Sequence, residues 1–230
     1  MRRLLGILAA FLVLTVSLVS SGRSQTTRTR IFRSAEVLSA SGVQIPFNSV
    51  ANGMVELYLT IDDTGKVADV RVARPLASVT EEAVSAVKKW TFAPATMHGK
   101  PVTSRLTVAV VFCPLFGFGA GEIPLPPISS EADKPTTDPS LPATSPEVLV
   151  AKYPLDPNAR SVGGTVVFRV LVGADGPPGL VRVVKDAPTM TDSARRAVTG
   201  WKFTPAQLNG RPVISGIILA FRFRNPVFNP

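Results

Sequence analysis

Groups able to do acid–base, nucleophilic or metal chemistry are few in this chain of 230 residues. It has one histidine, His98, and one cysteine, Cys113, too few parts for a catalytic triad, a zinc site or a paired-cysteine centre. His98 stands next to Gly99 in a turn segment and reads as a solvated loop residue. Asp62-Asp63 has the form of an acid pair or a calcium site. It lies in Asp62-Asp63-Thr64-Gly65, however, where Asp and Gly supply the conformations of a hairpin turn. The run Phe116-Gly117-Phe118-Gly119-Ala120-Gly121 is glycine-rich, but no Lys-Ser or Lys-Thr follows it, so it lacks the parts of a phosphate loop. Trp90 and Trp201 have the chemistry of ligand platforms, yet each closes an apolar helical face, the place of a core anchor. The residues therefore point to binding and away from catalysis, with no cofactor and no metal.

Charge and the first residues bound the setting. The formal charge is +9; Arg2, Arg3 and Arg23 lie in or beside the leader, and without these three +6 remains. No basic run is interleaved with aromatics, so nucleic acid is not an expected partner. Met1-Arg2-Arg3, the apolar run 4–19 and Ser20-Ser21-Gly22 have the layout of a secretory signal. That run is shorter than the roughly 20 residues that span a bilayer comfortably. Residues 1–24 are expected to be a cleaved signal peptide or an N-terminal anchor, placing the chain in the periplasm or cell envelope. A single cysteine forms no internal disulfide there.

The elements that position these residues come in two copies. A shift of 111 positions aligns 53–112 with 164–223 without a gap, with about one position in three identical. The matches gather where geometry is demanding: Gly65 with Gly176, then Trp90, Phe92 and Pro94 with Trp201, Phe203 and Pro205. Val55, Leu57, Leu59 and Ile61 alternate with Met54, Glu56, Tyr58 and Thr60, the pattern of a half-buried strand. The period then becomes helical, with Val79, Ala83, Ala86, Val87 and Trp90 on one face, and Ser78 and Glu81 spaced as a capping box. Pro94 stops the helix. A last strand carries Leu106, Val108, Val110 and Phe112 inward, matched by Ile217, Leu219, Phe221 and Phe223.

The expected fold is α+β. Each of two tandem modules is a three-stranded antiparallel sheet with one helix on one face, in the order strand, strand, helix, strand. Module 1 spans 31–113 and module 2 spans 147–226. Between them, 114–146 reads as a proline-rich linker.

Tyr153-Pro154, Gly164, Asp175-Gly176, the helix around Ala194 and Val198, Trp201-Lys202-Phe203-Thr204-Pro205-Ala206 and the closing strand together resemble the C-terminal domain of TonB energy transducers. Copy one resembles it too, and the two copies cover about two thirds of the chain. The resemblance implies a periplasmic module that grips outer-membrane transporters by pairing with a short extended segment of theirs, on behalf of an inner-membrane motor. It also implies that the last strand is the receiving edge. In copy two the outward side of that strand is Ile214, Gly216, Ile218, Ala220, Arg222 and Arg224, an apolar face that suggests cover by a partner, another copy or the other module. A soluble periplasmic scaffold that binds other envelope proteins or the cell wall remains the alternative. Each module is small, near the lower bound for a core, so a homodimer by exchange of last strands is a third expectation.

Overall fold

The computed structural model describes residues 32–46, 49–113, 121–129, 143–155 and 163–224. The leader 1–24, residues 225–226 and all of the glycine-rich run except Gly121 lie outside the described residues. In the first copy the elements are β1 (Phe32–Arg33), β2 (Glu36–Ser39), β3 (Gly53–Ile61), β4 (Val67–Arg74), α1 (Thr80–Val87), β5 (Thr91–Ala93), β6 (Ala95–Met97), β7 (Lys100–Val102) and β8 (Ser104–Phe112). The second copy follows with β9 (Glu147–Val150), β10 (Gly164–Val172), β11 (Pro178–Lys185), α2 (Thr191–Val198), β12 (Lys202–Thr204), β13 (Ala206–Leu208), β14 (Arg211–Val213) and β15 (Ser215–Phe223). The class is α+β, as expected.

The long strands do not form two separate sheets. They join in one six-stranded sheet in the order β11-β10-β15-β8-β3-β4. Within each copy the pairs are antiparallel, whereas β15 and β8, the equivalent last strands, pair in parallel. Ile218 lies opposite Val108 and Ala220 opposite Val110, one position away from the pairing of equivalent residues. Neighbours in a ladder point to the same face, so an offset of one residue brings the outward face of one copy level with the inward face of the other. The consequence is a helix on each side of the sheet. One core joins α1 to Val55, Leu57, Val108 and Val110 and includes Val167, Ile218 and Ala220 from the second copy. The other joins α2 to Phe168, Leu219 and Phe221 and includes Met54, Ala109 and Val111 from the first.

This arrangement corrects the reading of β3 as half-buried. All nine of its residues are buried, including Met54, Glu56, Tyr58 and Thr60 on the side read as outward. Met54 joins the core of the second copy, Glu56 meets one of the two arms that precede β3 and β10, and Tyr58 packs against Ile128. The arms repeat a motif, Ser34-x-Glu36-Val37-Leu38-x-Ala40 and Ser145-x-Glu147-Val148-Leu149-x-Ala151. Each pairs with its own copy, β2 with β5 and β9 with β12, and is pinned by an indole: Trp90 Nε1 donates to Ser41 O at 3.2 Å and Trp201 Nε1 to Lys152 O at 3.1 Å. Each also reaches the other copy. Gly216 N donates to Ser34 Oγ at 3.1 Å, and Thr107 Oγ1 and Ser145 Oγ lie 2.7 Å apart.

Two further expectations are revised. Ser78 does not cap α1: its φ is +68° and its hydroxyl faces Ser49 Oγ at 3.0 Å, while the helix begins one residue after Val79 with no side-chain cap. The backbone before the helix is held by Thr80 Oγ1, which accepts from Leu76 N at 2.9 Å. Part of the segment 114–146 is also docked. Ile123 N donates to Ala151 O at 2.8 Å and Ser129 N to Ala73 O at 2.7 Å. Ahead of residue 147, Ala143 bridges Leu208 within the second copy.

Candidate interaction edges

The outward residues of the last strand lie where the two copies meet. Ile218 and Ala220 are fully buried in the core of the first copy. Gly216 sits under Ser34, and an added Cβ there would lie 3.2 Å from Ser34 Oγ. Arg222 Nη1 donates to Gly164 O at 3.2 Å. Arg224 Nη1 donates to Ser49 O at 2.6 Å, and its Nη2 reaches Ala51 O. Ile214, before β15, stays about half exposed. Of the three covers the apolar face suggested, the structure supplies the other module. β15 is paired on both sides, with β10 and β8, and is not an edge in this arrangement.

Charged groups fasten the same junction. Glu56, fully buried, pairs with Arg74 Nη1 and accepts from Val148 N of the second arm at 3.1 Å. Its partner is itself held, Arg74 Nε donating to Pro126 O at 2.8 Å. On the opposite side Glu36 of the first arm meets Arg169 at 3.3 Å and Arg182 at 3.6 Å. Removing one partner of a buried pair leaves an uncompensated charge, which makes such contacts specific for one docking geometry.

Among the described residues the sheet ends in two outer strands, β4 and β11. An edge strand presents unpaired backbone groups that an extended peptide can complete. Beside β4 lies a groove of about 680 Å³, lined among others by Lys66, Ala68, Asp69, Lys88, Trp90 and Thr91. Its floor is framed by the hairpin turn, where Asp62 Oδ1 accepts from Thr64 N, Thr64 Oγ1 and Lys66 N at 2.7–2.9 Å. The Thr64 hydroxyl, then the Lys66 amide, hold the Asp62 carboxyl below its ordinary value. Asp62 is thereby a turn residue.

The other chemistry-bearing residues keep structural places. His98 is exposed at φ +50°, and its counterpart Asn209 has φ +51°, so both serve as turn residues. Burial pushes the Cys113 thiol up, which suppresses the thiolate. Trp90 and Trp201 are core residues, with Phe92 and Phe203 buried beside them, but they follow helices that end at Val87 and Val198; Pro94 and Pro205 therefore do not stop the helices and each stand between two short strands, β5–β6 and β12–β13. Gly65 and Gly176 occupy equivalent turns with positive φ. Among the described residues no group of three or more His, Cys, Asp or Glu is placed to hold a metal, and no helix is long and apolar enough to cross a membrane.

Sequence reasoning named the last strand and missed the outer strands and the arms. The arm motif was the available signal, since it repeats at the same spacing of 111 as the rest.

Residues 50–114 and 150–224 match the family described as the Gram-negative bacterial TonB protein C-terminal. No curated protein and no solved structure matches the chain. The two matched segments coincide with the two copies that build the sheet and together exceed half of the chain. The protein therefore belongs to the TonB C-terminal domain family, a family of non-enzymatic protein-interaction domains of the Gram-negative envelope.

Proposed function

We propose that this chain is a non-enzymatic binding protein of the envelope that takes up an extended segment of another envelope protein by strand addition. The observation that carries this is the sheet itself, whose order ends in long strands on both sides. Main-chain hydrogen bonds to such an edge supply affinity, and the side chains flanking it supply selectivity. Segments of outer-membrane transporters are the first partner class, and transport coupled to an inner-membrane motor is the role that goes with an N-terminal anchor.

A second reading, a soluble periplasmic scaffold for other envelope proteins or the cell wall, has its own support. The last strand, the edge the family resemblance assigns to transporters, is here taken by the other copy. Strand addition at Ile214–Arg224, or exchange of that strand in a homodimer, requires the two copies to part first.

Photo-crosslinking in the cell of origin tests both readings, with the reactive side chain placed in turn at Ala68, Leu180 and Ile218. Adducts at an outer edge with a transporter support the transport role, and adducts there with another envelope protein support the scaffold. Absence of adducts at Ala68 and Leu180 contradicts strand addition at the outer edges.

A further inference from the structure

The two outer edges are not equivalent, and the repeat supplies its own comparison. The β11 edge opens with Pro177-Pro178, and proline has no N–H to donate to an added strand. Farther along, Arg195 Nη1 of α2 donates to Val181 O at 3.2 Å, so a carbonyl of this strand is already bound within its own copy. Both features are ways in which proteins blunt an edge. At the equivalent positions the first copy has Lys66, whose N–H is taken by Asp62 Oδ1, Val67, which keeps an N–H where Pro178 has none, and Val84, whose side chain has no donor. β4 is engaged at its far end, where Ala73 O accepts from Ser129 N.

The groove beside β4 also has a sign. Its charged lining residues are Lys66, Lys88 and Asp69. Asp69 is held by Arg71 at 3.1 Å; the nearby Asp62 carboxylate is hydrogen-bonded within the hairpin and attracts Lys66 only as its weakest interaction. Neither Lys66 nor Lys88 forms an ion pair among the described residues. An added strand presents every second side chain to the same side, so carboxylates at alternate positions would meet these two ammonium groups.

We infer that the outer edge of β4, with Lys66 and Lys88 beside it, is the docking edge for an extended acidic segment of another envelope protein. The inference rests on the strand-addition reading and adds which edge is used and the charge of the partner.

Amide-resolved NMR titration of the isotope-labelled chain tests it with two probes, acetyl-Ser-Glu-Val-Asp-Val-Glu-Ser-amide and the same peptide with lysine at each acidic position. The acidic probe is expected to shift amides 67–72 while those of β11 stay in place, and the lysine probe to leave β4 unmoved. Reversing both exposed lysines, Lys66→Glu with Lys88→Glu, should weaken the acidic probe about tenfold or more, and Lys66→Arg with Lys88→Arg should retain it. An unchanged melting curve shows that the reversed variant still folds. The inference is overturned if the acidic probe shifts β11 instead, if both probes bind β4 alike, if charge reversal leaves affinity unchanged, or if neither probe binds. Crosslinks at Ala68 or Leu180 in cells would in that last case still uphold strand addition itself.

Discussion

Gly65 and Gly176 hold the same place in the two copies because the hairpin turn lies against the backbone that leaves the helix. At Gly65 (φ +87°) a Cβ would lie 2.2 Å from Phe92 O, and at Gly176 (φ +100°) 2.6 Å from Phe203 O. Gly99 also has positive φ, but nothing lies within 4 Å of its Cβ position. Gly99→Ala should therefore cost about 1–2 kcal/mol, the penalty of left-handed backbone alone. Gly65→Ala should cost clearly more, because the Phe92 carbonyl must move; urea unfolding of the two variants checks the order.

The same turn carries a pH signature. The folded-state value of Asp62 is depressed, so its contribution to stability is present above the unfolded carboxyl value and is lost as pH falls through the folded one. Thr64→Val should move the Asp62 titration upward, read from its side-chain carbonyl resonance. Turn glycines and the Asp62 turn were legible in the sequence, since local chemistry decides them. The role of Ser78 was not, because its hydroxyl partner, Ser49, lies on another segment.

At the scale of elements, alternation located the long strands and a helical period located α1 and α2, but the helices end at Val87 and Val198, before the tryptophans and prolines read as closing them. Alternation misjudged what covers the outward sides of the strands. A period of two distinguishes two faces and does not tell which faces meet solvent. The apolar outward side of β15 was the warning, and the offset pairing of β15 with β8 is its physical explanation. Glu56 reads as a solvated alternation residue, yet it is buried with Arg74 and receives the amide of Val148, a segment 92 residues away. Such a pairing has no local sequence signature. Ile218 is the element-level test, since it belongs to the second copy but lies in the core of the first. Ile218→Asp should destabilise the fold by more than about 3 kcal/mol, from lost burial and an unpaired charge. It should also shift amides around Val108 and Val110 in the first copy. A variant that melts like the original, with the first copy unmoved, would contradict the shared core.

At the scale of the whole molecule, two copies of a family module have become one sheet. Pairing the equivalent last strands removes two edges and leaves two; the one-residue offset places a helix on each side of the sheet, and the arms close the faces that remain. The outer edges are then the surfaces proposed for main-chain recognition. Family and repeat were visible in the residues, whereas the joining of the copies depends on contacts between segments far apart in the chain. Native-state hydrogen exchange on the intact chain tests this joining directly. The amides of β8 and β15 should exchange together, as the slowest set and with the free energy of global unfolding, while β4 and β11 exchange earlier. Two separate slow sets, with β10 and β15 opening independently of β3 and β8, would contradict a single sheet.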